Sequence, residues 1–459
     1  MAENKLPMGV KLGYGVLELG GNLFFTASAF VLMNYLTDTV GLAAGFAGLA
    51  LMVGRFWDAF YDPIIGFASD KTQTRMGRRR PYMLVGAPLA LIAMVLMFTN
   101  PSLVTDRIMS QANLFVYIMV VYIILCMAYS TVAIPYLAMS PELTADYHER
   151  TSLTGYRMGF SVVGTLLGAG AALPIIGLCK DKSTGFVLMG VIFGGIMFLT
   201  ALITTFSVKE PVDLKPAKSM GFGKTYLEVF KNGPYVLILL TYIFHIIGIT
   251  LISGIAIYYF KYVLGAESMT TLAMLILLGT AMVFIPISVV IGKRVGKKLV
   301  YGAGFSIIAA SLMVLFFFGH ALGVTFTLVM MCFTGIGFGF SYVMPYAIVA
   351  DAIEYDYLRT GERREGAFFG VWLWGVKIGQ ALASLIMGVI LQYIGYIANL
   401  MPQTPRVELG IRLFLGPISA AIFVMAALFL YFYPITEKRY NEICAQIAER
   451  EAFVSKTTR

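Results

Sequence analysis

Residues 43–81 read AAGFAGLALMVGRFWDAFYDPIIGFASDKTQTRMGRRRP. The apolar first part is long enough to cross a membrane as a helix, which takes about 20 residues, and an arginine-rich loop follows it. Asp58 and Asp62 lie inside the apolar part, four residues apart and therefore on one helix face. One carboxylate in hydrocarbon costs roughly 2.5 to 3.5 kcal/mol on insertion scales. Because two would also repel each other, the pair predicts a bound cation, either a metal ion or a shared proton.

The composition of the whole chain is typical of a protein that crosses the membrane many times. Of the 459 residues, 59% are hydrophobic and 13% are charged, against about 25% charged in soluble proteins. Apolar stretches of about 20 residues, the length of one span, begin near residues 13, 43, 82, 112, 153, 185, 235, 269, 300, 323, 367 and 408. We therefore predict an all-α membrane protein with twelve transmembrane helices.

The longest polar stretch separates the sixth span from the seventh and divides the chain into two halves. We predict an N-terminal six-helix bundle at 1–207, a central cytoplasmic loop at 208–232, a C-terminal six-helix bundle at 233–435 and a cytoplasmic tail at 436–459. This is the organisation of the major facilitator fold. Lysine and arginine are concentrated after spans 2, 6, 8 and 10, so these loops and both termini are expected in the cytoplasm. The net charge of +9 then reflects insertion into the plasma (inner) membrane rather than binding to nucleic acid.

Two charged loops combine acids with bases and suit ion pairs that break and re-form. Asp70 precedes Arg78 after span 2, and Asp351 precedes Arg363 after span 10. Such groups at helix ends can pair in one state of a transporter and separate in another. We predict gating roles for these four residues. The alternatives are charge that only sets the orientation in the first loop, and an ordinary solvated loop in the second.

Five segments together resemble the glycoside–pentoside–hexuronide cation symporter family (melibiose permease-like) of the major facilitator superfamily. They are RFWDAFYDPIIGFASDKTQTRMGRRRPYMLVG, AIPYLAMSPEL, TGYRMGFSVVG, ADAIEYDYLRTGERREGAFFG and GVKIGQA. The resemblance extends from about Lys11 to the end of span 12. It implies a cation-coupled symporter that imports a sugar or glycoside by alternating access, is not an enzyme, and is a monomer in the lipid membrane by default.

The resemblance implies that Asp58 and Asp62 are the carboxylates of the cation site. Ser130 on span 4 matches a hydroxyl that contributes to this site in the family, and Thr131 lies beside it. Tyr61 stands where the melibiose permease has an asparagine that helps to hold the ion. Since a phenol is a poorer sodium ligand than an amide, proton coupling stays open, although two carboxylates and a hydroxyl also suit sodium. No cofactor is expected apart from the coupling ion, sodium or a proton.

The implied substrate site departs from the family in its charge. Asn22 and Ala133 stand where the melibiose permease has two sugar-binding aspartates, whereas the basic partners are present as Arg157 and Lys377. Buried cations need partners. Lys377 is implied to pair with a cation-site carboxylate, and an Arg157 without a partner favours an anionic substrate such as a uronide or a sulfonated sugar. Glu18, one turn before Asn22, could instead partner Arg157 or carry a proton; the other alternative is a glutamate that reaches water at the interface.

Aromatic and polar side chains are further candidates for substrate contact, because small-molecule sites combine apolar or aromatic surfaces with a few polar groups. The candidates are Tyr156, Trp374, Gln380 and Tyr342. An alternative substrate is a lysophospholipid, because the sodium-dependent lysophosphatidylcholine transporter of animals is similar in spans 2, 5 and 11. A membrane enzyme or receptor is a third hypothesis, but the chain shows no nucleophile elbow, metal-ligand spacing or phosphate-binding glycine loop.

Overall fold

The regular secondary structure of the described residues is helical, as predicted. The structure, a computed structural model, describes residues 6–102, 109–144, 147–208, 228–362 and 364–457. Its α-helices are α1 (Met8–Gly15), α2 (Leu17–Asn34), α3 (Ala44–Lys71), α4 (Arg80–Met97), α5 (Gln111–Leu143), α6 (Tyr147–Gly177), α7 (Lys182–Ser207), α8 (Gly233–Tyr258), α9 (Met269–Val295), α10 (Lys297–Tyr342), α11 (Met344–Thr360), α12 (Glu365–Tyr393), α13 (Pro405–Leu413), α14 (Ser419–Tyr431) and α15 (Glu437–Thr457). Three π-helical segments, at Tyr35–Thr39, Tyr259–Val263 and Phe414–Ile418, extend or join these helices.

The number of membrane-spanning helices agrees with the predicted twelve once two details are considered. Among the described residues, 10 helical stretches are long and apolar enough to cross a membrane. The stretch Lys297–Thr360 counts as one, but its backbone leaves the helical conformation at Gly323 (φ 74°), and each side is long enough for a span. Helix α3 is not among the ten although its 28 residues exceed the length of a span; charged residues inside it, such as Arg55, Asp58 and Asp62, lower its hydropathy.

The chain forms two compact units. Unit 1 comprises Met1–Ala217, Ser253–Leu275 and Ala381–Ile411, and unit 2 comprises Lys218–Ile252, Ile276–Gln380 and Arg412–Arg459. Unit 1 therefore contains segments from both halves of the sequence. The predicted division into two six-helix bundles, a central loop and a tail remains a prediction from the sequence.

Close packing of helices α2 and α6 in unit 1 positions the predicted substrate residues. A Cβ atom on Gly164 would lie 2.3 Å from the carbonyl oxygen of Leu19, so only glycine permits this approach. Next to this crossing, the Tyr14 hydroxyl donates a hydrogen bond to the backbone carbonyl of Tyr136 at 3.0 Å, and both rings are buried. These contacts hold the side chains of α1, α2 and α6 beside those of α5.

The first and seventh spans end in the same way. Residues 35–41 (YLTDTVG) and 259–265 (YFKYVLG) each form a π-helical segment followed by a glycine with positive φ, 78° at Gly41 and 61° at Gly265. In both segments the N–H of the sixth residue donates to the carbonyl of the first, at 2.9 and 3.1 Å. This is an internal repeat of the kind found in transporters built from two related halves, and the sequence interpretation above did not recognise it.

Candidate functional site

Asp58 and Ser130 are a buried hydrogen-bonded pair that joins α3 to α5. Each residue is 2% exposed, and the Ser130 hydroxyl donates to Asp58 Oδ1 at 2.7 Å. Asp62 lies one turn further along α3 and is half-buried. The structure thus brings the Ser130 hydroxyl, which the family resemblance assigns to the cation site, next to Asp58, the first of the two predicted carboxylates. The role of these groups as cation ligands remains a prediction.

Tyr61 and Thr131 form a second link between the same helices. Their hydroxyl oxygens lie 3.1 Å apart. Because Thr131 donates its own proton to the carbonyl of Met127 at 2.7 Å, Tyr61 must be the donor in the pair. The Tyr61 oxygen therefore keeps lone pairs that a cation could use.

Arg55 is a charged residue of this site that the sequence interpretation missed. It is 7% exposed, and its guanidinium carbon lies 5.0 Å from the ring centroid of Phe25 and 5.7 Å from that of Tyr122. It also interacts electrostatically with Asp58, three residues later on α3. Arg55 could have been identified from the sequence in the same way as the aspartates, because any charge in an apolar helix needs compensation. Arg55 reduces the negative charge that a bound cation has to neutralise.

The predicted substrate residues of unit 1 form an ion pair supported by an amide. Arg157 donates to Glu18 Oε1 through Nε at 3.1 Å and also through Nη2. Asn22 Nδ2 donates to Glu18 Oε2 at 3.1 Å. The side chains of Arg157 and Glu18 are 15% and 16% exposed. Of the alternatives left open above, the structure favours Glu18 as the partner of Arg157, so an unpaired arginine is no longer an argument for an anionic substrate.

Two tyrosines frame this ion pair. The Arg157 guanidinium carbon lies 5.9 Å from the ring centroid of Tyr14 and 5.2 Å from that of Tyr136. Arg157 is therefore stabilised by aromatic faces as well as by a carboxylate. Tyr156, in contrast, directs its hydroxyl to the sulfur of Met8 at 3.1 Å, a contact that does not involve Arg157.

The remaining predicted substrate residues belong to unit 2. Lys377, Trp374 and Gln380 are half-buried on α12, and Tyr342 at the end of α10 is exposed. Within unit 2 an aromatic group surrounds Tyr242, a residue that the sequence interpretation did not assign. Its ring stacks on Trp372 with centroids 4.2 Å apart, and its hydroxyl lies 3.1 Å from that of Tyr346. Tyr242 and Trp372 are buried, whereas Tyr346 is 46% exposed, so Tyr346 is the member of this group that a ligand can reach. No spacing in the sequence marks this arrangement.

Asp70 and Asp351, the two acidic members of the predicted gates, form ion pairs. Asp70 binds Arg79 Nη2 at 3.1 Å, and both carboxylate oxygens of Asp351 accept from Lys297 Nζ at 2.7 and 2.8 Å. Arg78 is half-buried, and Arg363 lies outside the described residues. A gating role for all four remains a prediction.

A further charged group lies beside the second predicted gate. Arg364 binds the buried Asp356 at 2.7 Å and Glu228 at 3.2 Å. Hydrogen bonds from Lys231 and Arg364 lower the pKa of the Glu228 carboxyl. This group therefore fastens the residues before α8 to the loop that precedes α12.

Comparison with known proteins assigns the family. The model of the family described as "MFS/sugar transport protein" matches residues 13–437, and the chain therefore belongs to this family of membrane transporters. The resemblance to glycoside–pentoside–hexuronide symporters is thereby confirmed.

Relatives match along nearly the whole chain. A proposed sulfoquinovose importer of Escherichia coli (strain K12) is 28% identical over 97% of this chain and 95% of its own length. A glucuronide carrier protein homologue of the same organism is also 28% identical, over 96% of this chain and 95% of its own length. Among solved structures, the D-xylose-proton symporter is similar with a TM-score of 0.64 and 17% identity, and the match covers 93% of this chain and 95% of that chain. At this identity the structural similarity shows the major facilitator fold alone.

Proposed function

We propose that the protein is a cation-coupled symporter that imports a sugar or glycoside, favouring an anionic one, by alternating access in the plasma membrane, with both termini in the cytoplasm. Family membership and the sulfoquinovose importer and glucuronide carrier among its relatives support this proposal. The observation that carries it is the Asp58–Ser130 hydrogen bond of 2.7 Å. It places a hydroxyl oxygen against a buried carboxylate whose neighbour Asp62 is one turn away.

Cation binding would couple to transport through α3 and α5. A cation that neutralises Asp58 and Asp62 removes their repulsion and adds ligands from both helices, as the Ser130 and Tyr61 contacts indicate. Coupling requires the cation to bind the substrate-competent state more tightly than the other state. The ion would hold α3 and α5 in one arrangement. This arrangement of the two helices is what would differ between the two states.

Vesicle uptake tests the coupling. Separate sodium and proton gradients are imposed on vesicles that contain the parent protein, Asp58→Cys or Asp62→Asn. Either variant is expected to bind substrate yet fail to accumulate it, whereas Asp181→Asn, which keeps a side chain able to cap α7, accumulates it like the parent. Uphill accumulation by both cation-site variants would refute the coupling role.

An anionic substrate would have to compete with Glu18 for Arg157. The substrate's carboxylate or sulfonate can replace the Glu18 carboxylate in the contacts at Arg157, because both are anions that accept hydrogen bonds from a guanidinium. Glu18 would keep Arg157 neutralised while the site holds no substrate. Asn22, which donates to Glu18, would then be available to a sugar hydroxyl.

Substrate competition tests this part of the proposal. We expect a glucuronide and a sulfonated sugar to inhibit uptake at lower concentration than the matching neutral glycoside. Glu18→Gln is expected to increase that preference and Arg157→Gln to abolish it. Equal inhibition by acidic and neutral sugars would refute the anionic preference alone, and inhibition only by a lysophospholipid would favour the alternative substrate.

A further inference from the structure

A buried ion pair lies in unit 1, outside the predicted cation and substrate sites. Lys261 Nζ lies 2.5 Å from Asp38 Oδ2, and the two side chains are 7% and 4% exposed. Tyr262 donates to the same oxygen at 2.6 Å, and Tyr396 donates to Asp38 Oδ1. Asp38 is therefore paired with one cation, and hydroxyl groups of Tyr262, Tyr396 and Thr37 donate to its carboxylate.

Asn399 completes the cluster through three hydrogen bonds. Its side chain accepts from Lys261 Nζ at 2.9 Å and donates to the Asp38 carbonyl at 2.6 Å. Its backbone N–H donates to the Tyr262 hydroxyl at 3.0 Å. Among the described residues Asn399 is the only non-glycine residue with positive φ, at 57°. Residues held in this conformation are concentrated at functional sites, and here the surrounding contacts keep it in place.

The cluster joins the two halves of the sequence at the ends of matching spans. Asp38 lies in the π-helical segment that ends span 1, and Lys261 and Tyr262 lie in the repeated segment that ends span 7. Tyr396 and Asn399 follow α12, in the connection between spans 11 and 12. Because odd-numbered spans all end on the side opposite to the termini, the three segments meet on that side.

A second contact joins the two halves near the same end. Gly48, in the second turn of α3, approaches Gly388 of α12 so closely that a Cβ on Gly388 would lie 2.8 Å from the Gly48 Cα. Helices that meet at paired glycines can separate and re-dock without breaking interlocked side chains. The polar cluster and this glycine contact are therefore two contacts between the halves that can break and re-form.

We propose that Asp38, Lys261, Tyr262, Tyr396 and Asn399 form a lock that closes the substrate pathway on the side opposite to the termini. The inference rests on the proposed function, since alternating access requires contacts between the two halves on that side to break in each cycle. A buried ion pair suits this purpose because it adds little net stability but holds one geometry. Opening of the lock would expose Asp38 and Lys261 to water, which hydrates each charge separately.

Chemical labelling tests the lock without any substrate. The native cysteines Cys126, Cys179, Cys332 and Cys444 are replaced by alanine, and one cysteine is introduced at Ala29. This half-buried residue of α2 lies about 13.5 Å along the helix from Asp38, at 1.5 Å per residue. Its backbone carbonyl faces Gly254 of α8. A membrane-impermeant maleimide is added from the side opposite to the termini, and the labelling rate is measured.

Asp38→Asn and Lys261→Met are each expected to increase the labelling rate about tenfold, the change that 1.4 kcal/mol makes in an equilibrium constant. The matched control is Arg439→Met, which removes an exposed ion pair of 2.8 Å with Glu442 inside α15 and should leave the rate unchanged. Should a single variant not fold, the double variant Asp38→Asn/Lys261→Met carries the test, because it leaves no buried charge unpaired.

Equal labelling of the parent, the lock variants and the control would overturn the lock. Because the readout needs neither cation nor sugar, this result differs from failure of the proposed function, which would appear as absent uphill uptake. Tyr396→Phe provides an additional check. It removes the hydroxyl that contacts Asp38 Oδ1 and the Tyr262 hydroxyl but retains both charges, so its labelling rate should lie between those of the parent and of Asp38→Asn.

Discussion

Replacement of Ser130 by alanine is expected to weaken cation coupling and to identify the ion. The change removes one hydrogen bond of 2.7 Å to a carboxylate of a residue that is 2% exposed. Hydrogen bonds to charged groups contribute about 1.5 to 3 kcal/mol, and 1.4 kcal/mol is a tenfold change in affinity. The half-saturating sodium concentration for uptake should therefore rise by about 10- to 100-fold if sodium is the coupling ion.

A proton-coupled protein would respond to the same change in a different way. Loss of a hydrogen bond to a carboxylate disfavours its charged form, so the half-maximal pH of uptake would move to a higher value. Uptake by the parent protein and by Ser130→Ala would then not depend on sodium. The assay is initial uptake in vesicles across a sodium series at fixed pH and across a pH series without sodium.

Ser28→Ala is the matched control for this prediction. Ser28 is also a buried serine of unit 1, and its hydroxyl has no hydrogen-bond partner among the described residues. Its loss should change neither the sodium nor the pH dependence. If Ser130→Ala behaved like Ser28→Ala in both series, the hydroxyl would not belong to the coupling site and the reasoning would be refuted.

Three further predictions concern charge, packing and pH. Arg55→Met should lower the half-saturating cation concentration several-fold, because a nearby positive charge is removed; an increase would show that Arg55 instead positions its neighbours. Gly388→Ala places a Cβ 2.5 Å from a backbone carbonyl of α3 and should lower the free energy of unfolding by about 1–3 kcal/mol. Gly279→Ala, where no atom lies within 4 Å, should not lower it. Hydrogen bonds from the Thr184 N–H and hydroxyl lower the pKa of Asp181. The ionised Asp181 carboxylate therefore stabilises the folded protein fully above the usual carboxyl pKa. This stabilisation is lost as the pH falls through the pKa of Asp181 in the folded state. Asp181→Ala should therefore lower the melting temperature at pH 7, and this effect should shrink as the pH falls below the usual carboxyl pKa.

Most of the fold could be predicted because the bilayer imposes the length of each apolar segment. The helices begin close to the positions read from the sequence, and even α3, whose charges reduce its hydropathy, has the expected length. The link between Asp58 and Ser130 was expected from the family resemblance, and the structure brings these two side chains together. The chemistry of a charge in hydrocarbon is specific enough to mark a site from the sequence alone.

Partners across helices were harder to predict, because helical spacing defines a face but not the helix that opposes it. Glu18 was one of several possible partners for Arg157 until the packing of α2 on α6 placed them together. Asp38 and Lys261 gave no signal, since a charge at the end of a span is ordinary at the membrane interface. Only the repeat of residues 35–41 in 259–265 could have indicated that the two span ends correspond.

The most direct test of the central claim is the accumulation of a labelled acidic sugar by the parent protein in proteoliposomes. An inward sodium or proton gradient is imposed, and the same gradient is then collapsed with an ionophore. Sugar is expected to rise above its external concentration with one of the two gradients and to return to equilibrium after the ionophore is added. Uptake that only equilibrates, and that neither gradient changes, would contradict a cation-coupled symporter built around Asp58 and Asp62.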